Sequence, residues 1–190
     1  MTTRPEPDAV APGWQLLLDR LAAETEPTLR RNLEVVARHV VEEVAGRREE
    51  LMATLVPEPG YTVWGASESN GPTGRAEVHA WYDALGRAGR NRLDYVLERV
   101  VVDSGAVVTE GDFFYAIAGR DLPGATFTEA GDSVAADTFY LVGHRALVMW
   151  PVDDAGLIEG EHIYAGERHR VIRPLAGDEL TRLGPPERAS

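Results

Sequence analysis

The stretch "GLIEGEHIYAG", residues Gly156 to Gly166, sets His162 and Tyr164 two positions apart. Side chains alternate along a strand, so these two share a face with Ile158 and Gly160, and Leu157, Glu159, Glu161 and Ile163 take the other. An imidazole directed into an apolar pocket titrates near neutral pH and can serve as a general base. A phenol beside it can polarise a substrate oxygen. His162 and Tyr164 are therefore candidate catalytic residues, with a structural histidine bonded to a backbone carbonyl as the alternative. The preceding segment, "SVAADTFYLVGHRALVMWPV", puts Tyr140 and His144 on one face. Either Tyr140 polarises a substrate oxygen and His144 touches the ligand, or that face is the outer surface where a second copy packs. "VVTEGDFFYAI" sets Glu110 and Asp112 two apart. In a closed site one of two such carboxylates is raised in pKa, which makes Asp112 a candidate acid; in the open they are solvated or paired with arginine.

The other candidates are mostly aromatic. Tyr61, Trp64, Trp81 and Tyr82 read as a cavity wall for a flat, apolar ligand, or equally as a filled core. His39 and Asn32, seven apart, edge a helical apolar stripe, and His39 would border the same pocket. "HIYAGERHR" gathers His162, Glu167 and His169, but the spacing fits no established zinc pattern, and no metal is expected. No glycine-rich phosphate loop and no G-x-S-x-G elbow occurs.

Composition removes several mechanisms outright. There is no cysteine, hence no disulfide, thiolate metal site or cysteine nucleophile. All 19 basic residues are arginine, so Schiff-base chemistry through lysine is excluded. A formal net charge of -12 disfavours nucleic acid and anionic membrane surfaces as partners. The N-terminus lacks the layout of a secretory signal, and no run of about 18 apolar residues predicts a membrane span. The cytoplasm is the expected compartment.

Helices must come first and a sheet after them. Residues 1–13 read as a flexible leader. "GWQLLLDRLAAETE" predicts a short helix. "PTLRRNLEVVARHVVEEVAG" predicts the longest, with Leu29, Leu33, Val36, Val40 and Val44 on one face. "REELMATL" predicts a third helix, "YTVWG" a short strand, and "GRAEVHAWYDALGRAG" a fourth helix with Thr73 as its cap. Beyond Gly89 the period falls to two: a hairpin turning at Ser104-Gly105, a long strand over 133–152, and a last strand, "LIEGEHIYAG". That order is an α+β layout, a curved antiparallel sheet closed by N-terminal helices into a cone with an internal cavity. A single domain is expected over 14–170, with 171–190 as a tail.

This order of "YTVWG", "GRAEVHAWYDAL", "VLERVVVDSGAVVTEGDFFYAI" and "MWPVDDAGLIEGEHIYAG" resembles the nuclear transport factor 2-like (cystatin-like) superfamily, and most nearly its SnoaL-like branch, over roughly residues 27–166. The resemblance implies the cone, no cofactor, and a homodimer through the outer sheet face. It also implies acid–base chemistry as in polyketide cyclases, ketosteroid isomerases or scytalone dehydratases. His162 falls on the first polar position of the family's last-strand pattern, and Ala165 stands where its second carboxylate belongs. Gly111 and Phe113 replace the Arg-x-Asp pair of the epoxide hydrolases, which argues against that mechanism. The implied function is isomerisation, cyclisation or dehydration of a largely apolar, carbonyl-bearing molecule. A non-catalytic ligand-binding or dimeric assembly domain is the alternative.

Overall fold

The structure, a computed structural model, describes residues 6–7, 11–64, 71–122 and 126–183. Helix α1 (Gln15–Ala23) packs Leu17 into the core. Helix α2 (Pro27–Val44) starts where Pro27 supplies a preset φ and the Glu26 side chain accepts the Leu29 N–H at 2.7 Å. Its apolar stripe buries Leu33, Val36, Val40 and Val44. Asn32 and His39 go under with them, fully buried. Asn32 donates to the Asp103 and Ser104 carbonyls at 3.0 and 3.2 Å, tying α2 to the hairpin turn of the sheet. Helices α3 (Arg48–Met52) and α4 (Arg75–Arg87) follow, either side of strand β1 (Thr62–Trp64). Gly74 rather than Thr73 stands at the N-cap of α4, and the Glu77 carboxylate takes the Thr73 N–H.

Six strands form one sheet: β1, β2 (Leu93–Val102), β3 (Ala106–Ala118), β4 (Phe139–Pro151), β5 (His162–Ala165) and β6 (Arg170–Pro174). The order is β1-β5-β4-β3-β2, with β6 on the other end of β4. The β2–β3–β4 meander is the antiparallel sheet that the alternation predicts. The sequence reading did not foresee that β1 joins β5 in parallel. The long strand also starts at Phe139 rather than at 133.

Two expectations are corrected. Part of the proposed tail is sheet: β6 pairs Val142 with Val171, and helix α5 (Gly177–Arg182) follows it. Ile172, Leu175, Leu180 and Leu183 pack on Phe114, Ala116 and Leu141, so the chain covers part of its own outer sheet face. Apolar residues in the last stretch, not the Arg, Gly and Pro around them, decide that.

The second correction concerns phase. The run from Leu157 is not one strand, because Gly160 breaks it with φ +152°. A Cβ there would overlap the Gly60 carbonyl oxygen, so only glycine fits this backbone crossing. Ile158, fully buried before the break, consequently says nothing about the phase after it. Beyond Gly160, Glu161, Ile163 and Ala165 face the cavity, and His162 and Tyr164 do not line it. Tyr164 is 44% exposed and stacks on Trp64, itself 52% exposed.

Asp112 is likewise not a cavity residue. It is fully buried on the opposite side of β3 from Phe113, held by Arg145 at 3.0 Å and Arg170 at 3.9 Å. Arg145 also bonds Glu98 and Glu110, both at 2.8 Å. This is the arginine-paired alternative for the carboxylate pair. Asp112→Ala is expected to destabilise the fold by about 3 kcal/mol, because it strips two arginines of a buried partner. Urea unfolding measures this, and a loss below ~1 kcal/mol contradicts it.

Candidate functional site

Between α2 and α4 on one side and the concave face of the sheet on the other lies a cavity of about 790 Å³. That is the size of a small-molecule site. Its walls are largely aromatic. Tyr95 stacks on Phe113 at 3.9 Å between ring centroids, and Trp81, Tyr115 and Trp150 add to the lining.

Polar groups converge on it from behind α2. The Thr54 hydroxyl donates to the Leu51 carbonyl at 2.6 Å, so its oxygen accepts from His39 Nδ1 at 2.7 Å. That fixes a proton on Nδ1. Nε2 then faces the Tyr82 hydroxyl at 3.0 Å and Glu161 Oε1 at 3.2 Å. Tyr82 gives its hydrogen to Glu161 Oε1 at 2.6 Å, and Tyr61 reaches the Tyr82 oxygen at 2.9 Å. A bare Nε2 lone pair against a carboxylate oxygen is repulsive. Burial and the Glu161 charge push both phenols well above their ordinary value, so Tyr61 and Tyr82 stay protonated donors. Trp150 seals the cluster edge-on to His39, at 5.4 Å.

Glu161 lines the cavity, and its contacts with His39 and Tyr82 both fall on Oε1, so Oε2 is the oxygen nearest to hand for a ligand. Glu43, one turn beyond His39 on α2, lines the cavity beside it. Burial, then the Glu161 charge, push the Glu43 carboxyl up to about 8, against the pull of Arg48. Two carboxyl groups in one site are thus split, one holding its proton at neutral pH.

The same atoms are the only grouping among the described residues that could hold a metal ion: His39, Glu43 and Glu161 each offer one atom within 4.8 Å of the others. A cation there would have to break the His39–Glu161 contact and the Tyr82 bond, so the cluster is already bonded within itself and fits a metal poorly.

Of the residues singled out in the sequence, Trp81, Tyr82 and His144 line the cavity. His39 and Tyr61 stand behind it, bonded to Tyr82. Tyr140 is buried past the lining, its hydroxyl accepting from the Ala135 N–H at 2.9 Å. His162, Tyr164, Asp112 and Trp64 lie elsewhere. Glu161 and Glu43 were missed. The sequence analysis placed Glu161 on the face opposite His162 and gave it no role, although it has the parity of apolar Ile163 and Ala165. Glu43 carried a signal in its position, four residues after His39 at the edge of the stripe.

No protein-family model matches the sequence, and no curated protein matches it either. Solved structures do. A SnoaL-like protein from Jannaschia sp. CCS1, named after the polyketide cyclases, superposes with a TM-score of 0.57 at 20% identity, covering 75% of this chain and 90% of its own. The fold is that of the nuclear transport factor 2-like proteins. RV0760c from Mycobacterium tuberculosis, solved with estradiol-17beta-hemisuccinate, shares this cone at a TM-score of 0.51 and 16% identity, over 73% of this chain and 94% of that one. The epoxide hydrolase/cyclase-like enzyme SalBIII, of pyran ring formation in salinomycin, does so at 0.53 and 12%, over 75% and 96%. At these identities the likeness is one of fold. Among the described residues no helix is long and apolar enough to cross a membrane.

Proposed function

We propose that this protein is a cofactor-independent acid–base enzyme acting on a largely apolar, carbonyl-bearing molecule. The observation that carries the reading is Glu161: a buried carboxylate open to an aromatic cavity, its Oε1 fixed by Tyr82 at 2.6 Å and its Oε2 nearest to hand for a ligand. Glu161 Oε2 takes the proton from the carbon next to the carbonyl. The protonated Glu43 gives a hydrogen bond, and then its proton, to the carbonyl oxygen as charge develops there. His39, Thr54, Tyr82 and Tyr61 hold Glu161 in place and stabilise its charge. Isomerisation, aldol-type cyclisation and dehydration share this first step, and return of the proton at another carbon completes the simplest of them. Glu161 and Glu43 replace His162, Tyr164, Tyr140 and Asp112 in this scheme.

The experiment is proton exchange. A panel of rigid ketones is incubated with the protein in deuterium oxide, and label next to the carbonyl is followed by NMR. Exchange above a protein-free control, undiminished by EDTA, is expected. No exchange with any ketone that binds would leave a ligand-binding protein, the alternative that the aromatic walls also suit. We retain the homodimer as a proposal, narrowed to the outer sheet face that the C-terminal segment leaves open.

A further inference from the structure

Away from the carboxylates, the cavity wall carries three polar rings that form no hydrogen bond with any described residue. They are His144 on β4, Tyr115 beside it on β3, and His169 just before β6. His144 is only 8% exposed, and its Nδ1 is sealed with no partner. Its ring lies parallel to Phe113 at 5.4 Å and to Tyr115 at 5.7 Å, with His169 edge-on at 4.5 Å. Stacking holds the plane of the imidazole, so the ring cannot turn its polar edge to water. A sealed N–H without an acceptor costs more than a sealed lone pair, which places the ring proton on Nε2. His144 thus presents a fixed N–H donor. Of the three rings only His144 is buried; Tyr115 is half-buried and His169 exposed, and all three line the cavity, where a ligand oxygen can meet them.

We infer that His144, His169 and Tyr115 form a second polar pole of the cavity, which recognises a neutral oxygen, hydroxyl or carbonyl, at the far end of an elongated ligand. The inference rests on the proposed function only in placing the reacting carbonyl at Glu43 and Glu161. The span follows from register. His162, next to Glu161, pairs with Met149, and His144 lies five residues back along β4. At ~3.3 Å per residue that is about 17 Å of strand, shortened by side chains reaching in from both ends. A fused-ring molecule with an oxygen at each end fills such a slot. The neutral charge follows from the histidines. Burial, then His169, hold His144 down to about 4, and burial and Arg90 lower His169. Glu167, also on the wall, is held through Oε1 by the Arg145 N–H at 3.1 Å and by Arg170 at 3.0 Å, and the guanidinium offsets its charge.

The test uses the full chain and three probes, with quenching of Trp81 and Trp150 fluorescence as the readout at pH 7. Estradiol carries an oxygen at each end; the second probe is its analogue without the hydroxyl on the five-membered ring; the third is the hemisuccinate ester at that hydroxyl. Wild type should bind estradiol roughly three- to tenfold more tightly than the analogue, the range for one neutral hydrogen bond. His144→Phe keeps the stack and should bind the two equally, without losing affinity for the analogue. His144→Asn, which keeps a donor, should retain part of the preference. Equal binding by wild type, binding of neither, or a preference that survives His144→Phe overturns the inference. A hemisuccinate bound more tightly than estradiol also overturns it, by making the pole an anion site with Arg90. None of these readouts uses turnover. Failure of the acid–base reading would appear separately, as ligand preference intact with no proton exchange.

Discussion

Glu161→Gln should lower the rate of deuterium incorporation by about 10³-fold while leaving the fold and ligand binding in place. The substitution keeps volume and an oxygen for the Tyr82 hydroxyl but removes the carboxylate oxygen that takes the proton. A Gln N–H can also be accepted by His39 Nε2, so the variant keeps the cluster's contacts while losing the base. Stopped turnover with normal fluorescence quenching by a bound ketone would assign the defect to chemistry rather than to binding. His162→Ala serves as the contrast. That imidazole does not line the cavity, so the rate should stay within about twofold of wild type, a range with no catalytic role in it. If Glu161→Gln turns over normally and His162→Ala does not, the assignment made here is wrong.

The second large effect is the pH dependence set by Glu43. With its carboxyl up at about 8, the acid form predominates at neutral pH and is lost above it. The rate should therefore be flat below pH ~7 and fall about tenfold per unit well above pH 8. Glu43→Gln cannot deliver a proton. It should lose about 10²-fold in rate and the alkaline limb together. A fall above pH 8 that persists in this variant would assign the limb to another group.

Stability responds in the direction set by linkage. The native carboxyl binds its proton more tightly than the unfolded one. Between about pH 4.5 and 8 the folded state therefore holds the extra proton, and stability declines as pH rises through that window. Glu43→Gln should flatten the decline, which is on the order of a few kcal/mol at full size. Urea midpoints measured at pH 5 and pH 8.5 on both proteins report it.

Much of the framework was legible in the residues. The stripe of Leu33, Val36, Val40 and Val44 has the period of a helix, and the segments after Gly89 have that of strands. Period depends only on local geometry, so α2 and the β2–β3–β4 meander could be read directly. The α+β layout followed from the order of those elements, whereas of the four aromatics read as a wall only Trp81 and Tyr82 line the cavity. The two parallel strands could not be read this way, because β1 and β5 lie about 100 residues apart and pair through tertiary packing.

The site was less legible, and the reason is specific. A strand's alternation divides its residues into two faces but does not say which face is inside. In the last strand the sequence correctly separated His162 and Tyr164 from Glu161 and Ile163. Grouping Ile158 with His162 on one face failed, because a glycine at φ +152° lies between Ile158 and the strand. Only the crossing of Gly160 over Gly60 decides that Glu161 looks inward.

Glu43 shows the same limit on a helix. The sequence analysis did not single it out, and whether a residue at the edge of a helical stripe meets water or a cavity depends on what packs against it. The sequence by itself determined the main helices, the β2–β3–β4 meander, their order, and the acidic, cysteine-free and lysine-free chemistry. The tertiary structure alone decided which carboxylates share the cavity wall. Protonation and reactivity are set by burial and by neighbours distant in the chain, and local sequence carries neither.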